Sequence, residues 1–266
     1  MSEHRYVASD EKAELELDRL RTLEKIFDPT TKRHLEVIGV SEGWKCLEVG
    51  AGTGSVAQWL STRVGPTGKI VATEINIRFL QLLNASSIEI RQHDITKDDL
   101  EKGGYDLVYC RTLLMQLPEP EEALKRMADA VRTGGWLLAE EWDYGSMFST
   151  DVTNPSAATF TTTWRAFIDF LREKRIVDPL FGRRVRGLIE QLGFVDVTQE
   201  GLTQMCRGDE PLAQFDAATL LMGARPMINA GLLTQEQHDT VQRLHKDRTF
   251  NYLGATMFSA WGRKPH

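Results

Sequence analysis

The sequence predicts an α/β fold, a mainly parallel sheet covered by helices on both faces, and three observations carry that reading. Short apolar runs alternate with stretches of helical spacing from Lys45 to Glu141. The first run leads through three closely spaced glycines into a helix. The alternation also has the rhythm of βαβ units, whose crossovers make neighbouring strands parallel.

Taken in order, Asp10 to Phe27 places Leu15, Leu17, Leu20, Leu23 and Ile26 mostly at helical spacing behind a Ser9-Asp10 N-cap. Asp28-Pro29 is expected to end this helix, a second short helix runs toward Val37, and Gly39 to Gly43 makes a turn. Strands follow at Lys45 to Gly50, Lys69 to Glu74, Ile88 to His93, Tyr105 to Cys110 and Trp136 to Glu140. Helices are expected between them at Ser55 to Val64, Ile77 to Asn84 and Pro120 to Val131. Beyond Glu141 the rhythm loosens. Thr150 to Lys174 reads as an extra helix, Gly182 to Leu192 as another, and Pro211 to Asp247 as a helical insertion. Phe194 to Thr198 and Thr256 to Gly262 supply a sixth and a seventh strand.

Composition narrows the function. With 41% hydrophobic and 26% charged residues the chain is ordinary for a soluble globular protein. A net charge of −6 argues against a nucleic-acid partner, because such proteins neutralise phosphates with a basic face. Cys46, Cys110 and Cys206 are too few and too widely spaced for a disulfide framework or a zinc site, which suits a reducing cytoplasm. The start is too charged for a signal peptide, and no run has the length of a membrane span. No HxxH, HExxH or carboxylate cluster suggests a metal.

The chemistry gathers at Glu48-Val49-Gly50-Ala51-Gly52-Thr53-Gly54-Ser55. Glycines between a strand and a helix let a ligand approach bare backbone at the helix N-terminus. A dinucleotide reading would favour GxGxxG and no acid nearby, since a carboxylate repels a pyrophosphate. Here the spacing is GxGxG, and Glu48 lies two residues before Gly50. That acid can attract the ammonium of S-adenosylmethionine. Glu74, ending the second strand, can accept from ribose hydroxyls, and Asp94 from an adenine amino group with Ile95 against the ring. Each acid has a plainer reading: Glu74 as a solvated strand end, Asp94 as a turn residue or helix cap before Lys97.

The chain resembles the class I S-adenosylmethionine-dependent methyltransferases of the small-molecule branch. The resemblance rests on Glu48 to Gly54, Glu74, His93-Asp94-Ile95, Tyr105 to Arg111 leading to Leu117-Pro118, and Arg132-Thr-Gly-Gly-Trp136. It implies a Rossmann-like sheet of seven strands in the order 3-2-1-4-5-7-6, the seventh antiparallel, with helical cap insertions. It further implies that Glu48, Gly50, Ala51, Gly52, Gly54 and Ser55 hold the methionine end, Glu74 and Ile75 the ribose, and Asp94 and Ile95 the adenine. Arg111 is expected near the cofactor carboxylate. Similar enzymes often carry histidine where this chain has Gln116, and an amide takes up no proton at neutral pH.

The acceptor is expected to be a small organic molecule, an aromatic metabolite among the candidates, methylated at nitrogen, oxygen or carbon. Tyr6, in a segment that folds over the cofactor in similar enzymes, and Glu141 after the fifth strand are candidate catalytic groups. Gln116, Trp142, Tyr144 and Trp164 are candidate acceptor contacts, although the Trp164/Phe167 stripe also reads as core. Glu140 and Asp143 can bind a cation, act as bases or cap the loop. Arg165, Arg183 and Arg184 read as a solvated basic face. His34 and His245 show no ligand spacing. Residues 1–40 are expected to form a helical lid on a core of 41–266, with caps at about 145–180 and 208–250. A homodimer is open. The alternatives are an NAD-dependent oxidoreductase and a non-catalytic protein that binds the cofactor.

Overall fold

The structure, a computed structural model, describes residues 10–83, 86–149, 151 and 153–266. The chain opens with α1 (Asp10–Ile38). The parallel core is β1 (Lys45–Val49), α2 (Ser55–Val64), β2 (Lys69–Glu74), β3 (Ile88–Gln92), β4 (Tyr105–Arg111), α3 (Pro120–Ala130) and β5 (Val131–Asp143). Then come β6 (Phe148–Ser149), α4 (Ala157–Glu173), α5 (Val185–Gln191), β7 (Val195–Arg207), α6 (Pro211–Asn229), α7 (Gln235–Leu244) and β8 (Asn251–Arg263).

The strands form one eight-stranded sheet in the order β3-β2-β1-β4-β5-β8-β6, with β7 also paired to β8. The β1–β2, β1–β4, β2–β3 and β4–β5 ladders are parallel, and β8 runs antiparallel to β5, β6 and β7. The expected order is therefore present, with the two-residue β6 added at the far end of β8. Alternate residues of one strand enter opposite cores: Leu47 and Val49 of β1 pack on one face and Cys46 on the other, as do Val108 against Leu107 and Tyr109 of β4. That is the signature of a sheet buried on both sides.

Several boundaries differ from the sequence reading: β5 starts at Val131 and runs to Asp143, α4 starts only at Ala157, and the insertion from Pro211 divides into α6 and α7. Helix α1 passes through Pro29 instead of stopping at Asp28. A proline there removes one intrahelical hydrogen bond, and burial of Phe27, Leu35 and Ile38 with the polar ties of Asp28, Thr31 and His34 offsets it. The helix expected at Ile77 to Asn84 shrinks to a single 3-10 turn at Leu80–Leu82, because Leu83 turns extended (φ −71°, ψ 134°); Asn84 lies outside the described residues. The helix expected from Gly182 opens as a 3-10 turn, Phe181–Arg184, before α5. Strands β7 and β8 each span thirteen residues, far beyond the apolar cores that announced them, since their ladder continues through polar positions such as Thr203 and Thr256.

Candidate functional site

The glycine turn leaves β1 and enters α2 with left-handed backbone at Gly50 (φ +72°), Gly52 (φ +60°) and Gly54 (φ +82°). A side chain at Gly54 would also overlap Leu80 and Leu83, so the residue is demanded by conformation and by space alike. The turn is fastened to β2 by the Gly50 and Ala51 N–H groups, which donate to the Thr73 carbonyl at 2.9 and 3.0 Å. Its Gly52 N–H donates to Glu74 Oε2 at 3.1 Å, and Ile75 N–H donates to Glu74 Oε1 at 2.8 Å.

At this edge lies a cavity of about 280 Å³, where the strand ends of a parallel sheet present their loops. Gly50, Gly52, Glu74, Ile75, Asp94, Arg111 and Gln116 line it, so seven of the residues singled out in the sequence converge there. Burial raises the Glu74 carboxyl, against the lowering effect of its backbone donors. Asp94 accepts from the Thr96 N–H at 3.0 Å and hydroxyl at 2.6 Å, and from Lys97 Nζ at 2.7 Å. Although burial works the other way, those bonds lower its carboxyl to about 2. Asp94 thus makes the turn that its plainer reading expected while also facing the cavity.

Other expected residues stand behind the wall. Ala51 and Ile95 are buried in the hydrophobic core, and Ser55 donates to Asp28 Oδ1 at 3.1 Å. Glu48 is 5% exposed and its Oε2 has no hydrogen-bond partner. Burial pushes its carboxyl up to about 8, with the Arg111 charge opposing. Glu141 is fully buried and accepts from the Leu113, Leu114 and Met115 N–H groups at 3.0, 2.7 and 3.3 Å. It holds the loop that carries Leu113 and Gln116 into the cavity, and its carboxylate is turned to that loop's backbone. Burial raises it to about 8. Trp142 lies edge-on to Phe27 of α1, with ring centres 4.9 Å apart, Tyr144 stacks on Trp164, and Trp164 of α4 is fully buried. Asp143 is held by Arg183, Nη2 to Oδ1 at 2.8 Å, and Arg183 keeps the solvent exposure expected for it while making that bond. Tyr6 lies outside the described residues.

Sequence reasoning missed how much α1 contributes. Glu16, Arg19 and Leu20 line the cavity, and Leu20 Cδ2 comes within 3.5 Å of where a Gly52 Cβ would sit. Glu24 bonds the Thr53 hydroxyl. Arg111 donates to Asp28 Oδ1 and Thr31 Oγ1, both at 2.9 Å. Behind it, Glu140 is saturated: Oε1 faces His34 Nδ1 at 3.0 Å and Ser259 Oγ at 2.7 Å, while Oε2 accepts from Thr31 at 2.5 Å and Tyr109 at 3.1 Å. Burial alone would raise this carboxyl, yet His34, Arg111 and Thr31 lower it. These partners lie more than a hundred residues apart except Tyr109, and no local spacing could have announced them. Asp28-Pro29, read as a helix end, was the one signal of a special site there.

A parallel sheet with a glycine turn and strand-end acids around a cavity defines an α/β protein whose candidate site lies at the carboxyl edge of the sheet. Residues 7–199 match the methyltransferase domain family model, and the chain belongs to that family. It is also similar to the ubiquinone/menaquinone biosynthesis C-methyltransferase of Pseudomonas savastanoi pv. phaseolicola, 31% identical over 41% of this chain and 45% of that protein. The Pseudomonas entomophila counterpart is 33% identical over the same shares. The chain thus spans less than half the length of these curated relatives. In fold it resembles phosphoethanolamine N-methyltransferase 2 of Haemonchus contortus, solved with S-adenosyl-L-methionine, at 14% identity and TM-score 0.57, covering 92% of this chain and 56% of that one. The YcgJ protein of Bacillus subtilis gives a TM-score of 0.58 at 12% identity, over 88% and 97% of the two chains.

Proposed function

We propose that the chain transfers a methyl group from S-adenosylmethionine to a small organic acceptor at nitrogen, oxygen or carbon. The observation that carries this reading is Glu48: a buried carboxylate beside the glycine turn, with one oxygen lacking a partner. Burial keeps this acid largely protonated near neutral pH, and a cationic neighbour would draw it into its charged form. The bound cofactor would supply an electrophilic methyl group. Glu48 and the glycine turn would hold its amino-acid end, Glu74 and Ile75 its ribose, and Asp94 its base, with Arg111 near its carboxylate. Residues Leu113 and Gln116, held in place by Glu141, would close the methyl-bearing side against water. Aligning an acceptor with a sulfonium supplies much of such a reaction's acceleration, so a dedicated base is optional. Helix α1 would serve as the lid.

The acidic surface favours a small molecule over nucleic acid, and three unpaired thiols fit a cytoplasmic enzyme. Among the described residues no helix is long and apolar enough to cross a membrane. Calorimetry with S-adenosylhomocysteine and with NADH tests the reading: the first is expected to bind and the second not. Binding of NADH alone would return the oxidoreductase alternative. Transfer of labelled methyl to any member of an acceptor panel would exclude a merely binding protein.

A further inference from the structure

A second group of buried polar atoms lies between α1, the end of β5, α6 and β8. Asp216 of α6 is 2% exposed, and the Tyr252 hydroxyl donates to its Oδ2 at 2.7 Å. Among the described residues no cation makes an ion pair with it; burial raises its carboxyl to about 7 against the Tyr252 bond. Aromatic faces stand in front. Trp142 and Phe215 stack with centres 6.3 Å apart, Trp142 and Tyr144 lie 5.8 Å apart, and Tyr144 stacks on Trp164 at 6.2 Å.

The wall stands behind the cavity lining, and Arg19 links the two. Arg19, a cavity-lining residue of α1, holds its guanidinium over the Phe215 ring, 5.8 Å from the centre. Arg19 and Asp216 are also the two charges that act on the Tyr144 hydroxyl, so both lie close to it. The mouth of the aromatic wall therefore already carries a cation. Deeper in, Trp164 Nε1 and His245 Nε2 are buried without partners. His245 Nδ1 bonds the Val241 carbonyl at 2.9 Å and so carries the proton, which leaves Nε2 as an acceptor. Aromatic faces attract cations, and a buried carboxylate gains most from a charged donor. A carboxylate ligand would be repelled here, and a plain hydrocarbon would leave Asp216 uncompensated.

Resting on the methyltransferase reading, we propose that Trp142, Tyr144, Phe215 and Asp216 form an acceptor subsite for the protonated amino group of an organic amine. Arg19, bound to Glu16 at 2.6 Å, places a positive charge beside this subsite. Asp216 is then a specificity-determining residue, and no cofactor contact depends on it.

The test uses protein saturated with S-adenosylhomocysteine, titrated with 2-phenylethylamine, 3-phenylpropionate or toluene, with tryptophan fluorescence and calorimetry as readouts. The amine is expected to bind and the other two to bind at least tenfold more weakly. Asp216→Asn keeps an acceptor for Tyr252 and removes the charge; it is expected to weaken the amine at least tenfold and leave the affinity for S-adenosylhomocysteine unchanged. Arg19→Ala is expected to tighten the amine. If Asp216→Asn does not fold, Phe215→Leu reads the same subsite and is expected to weaken the amine several-fold. Binding of S-adenosylhomocysteine with no affinity for the amine, with equal amine affinity in the variants, or with equal binding of 3-phenylpropionate, would overturn the subsite and leave the methyltransferase reading standing. Failure of S-adenosylhomocysteine itself to bind would overturn both.

Discussion

The glycine turn and the seam where α1 meets β4, β5 and β8 each bury a glutamate, and the two are treated in opposite ways. Glu48 at the turn is left with a bare oxygen and a carboxyl raised to about 8. Glu140 at the seam receives His34, Ser259, Thr31 and Tyr109, and its carboxyl is lowered. A buried acid supplied with every donor is a joint of the fold. One left short of donors is the group that the proposed function assigns to a partner from outside.

The comparison breaks most visibly at the seam. Glu140→Ala orphans four buried donors and leaves Arg111 short of counter-charge, so stability is expected to fall by about 3–5 kcal/mol in urea denaturation. A loss below 1 kcal/mol would show that the seam is not a joint. At the turn the expected loss is in binding instead. Glu74→Ala is expected to weaken S-adenosylhomocysteine by about 1–3 kcal/mol in calorimetry, the cost of leaving ligand hydroxyls unpaired, and unchanged affinity would remove its ribose role.

A third test reads the contrast through pH. Because Glu48 is raised from 4.5 to about 8, the folded state binds its proton more tightly than the unfolded chain between those values. Stability from this group is therefore full below pH 4.5 and lost as pH rises toward 8, by at most about 1.4 kcal/mol per pH unit. Glu48→Gln is expected to flatten that decline relative to the parent. Equal slopes in the two proteins would place the Glu48 titration elsewhere.

The two regions were also unequally legible. The turn joins strand, glycines and helix without interruption from Lys45 to Val64, and its φ-positive glycines announce themselves because few other residues fit. The mainly parallel sheet followed from the alternation, and the strand order from the family resemblance alone. The seam was silent: His34 showed no ligand spacing, Thr31 and Ser259 carried no motif, and Tyr109 read as a strand residue. Their meeting is a product of tertiary packing. Glu141 read as a candidate base from its place after the fifth strand, whereas its geometry serves the backbone of Leu113 to Met115. The aromatic cap was legible as a helix stripe, but Asp216 and Tyr252, thirty-six residues apart, were not legible as a pair.

Pro29 divides α1 into unequal partners. The stretch after it, with Thr31, His34 and Leu35, is riveted to the sheet, whereas Glu16, Arg19 and Leu20 before it roof the cavity. The missing proline amide leaves the Lys25 carbonyl without its usual helical bond at the border between the two halves. On the proposed lid reading the first half alone would lift, like a flap creased at Pro29, while the second half keeps its bonds to the sheet. Amide hydrogen exchange faster at 16–24 than at 31–38 is the expected trace of that crease.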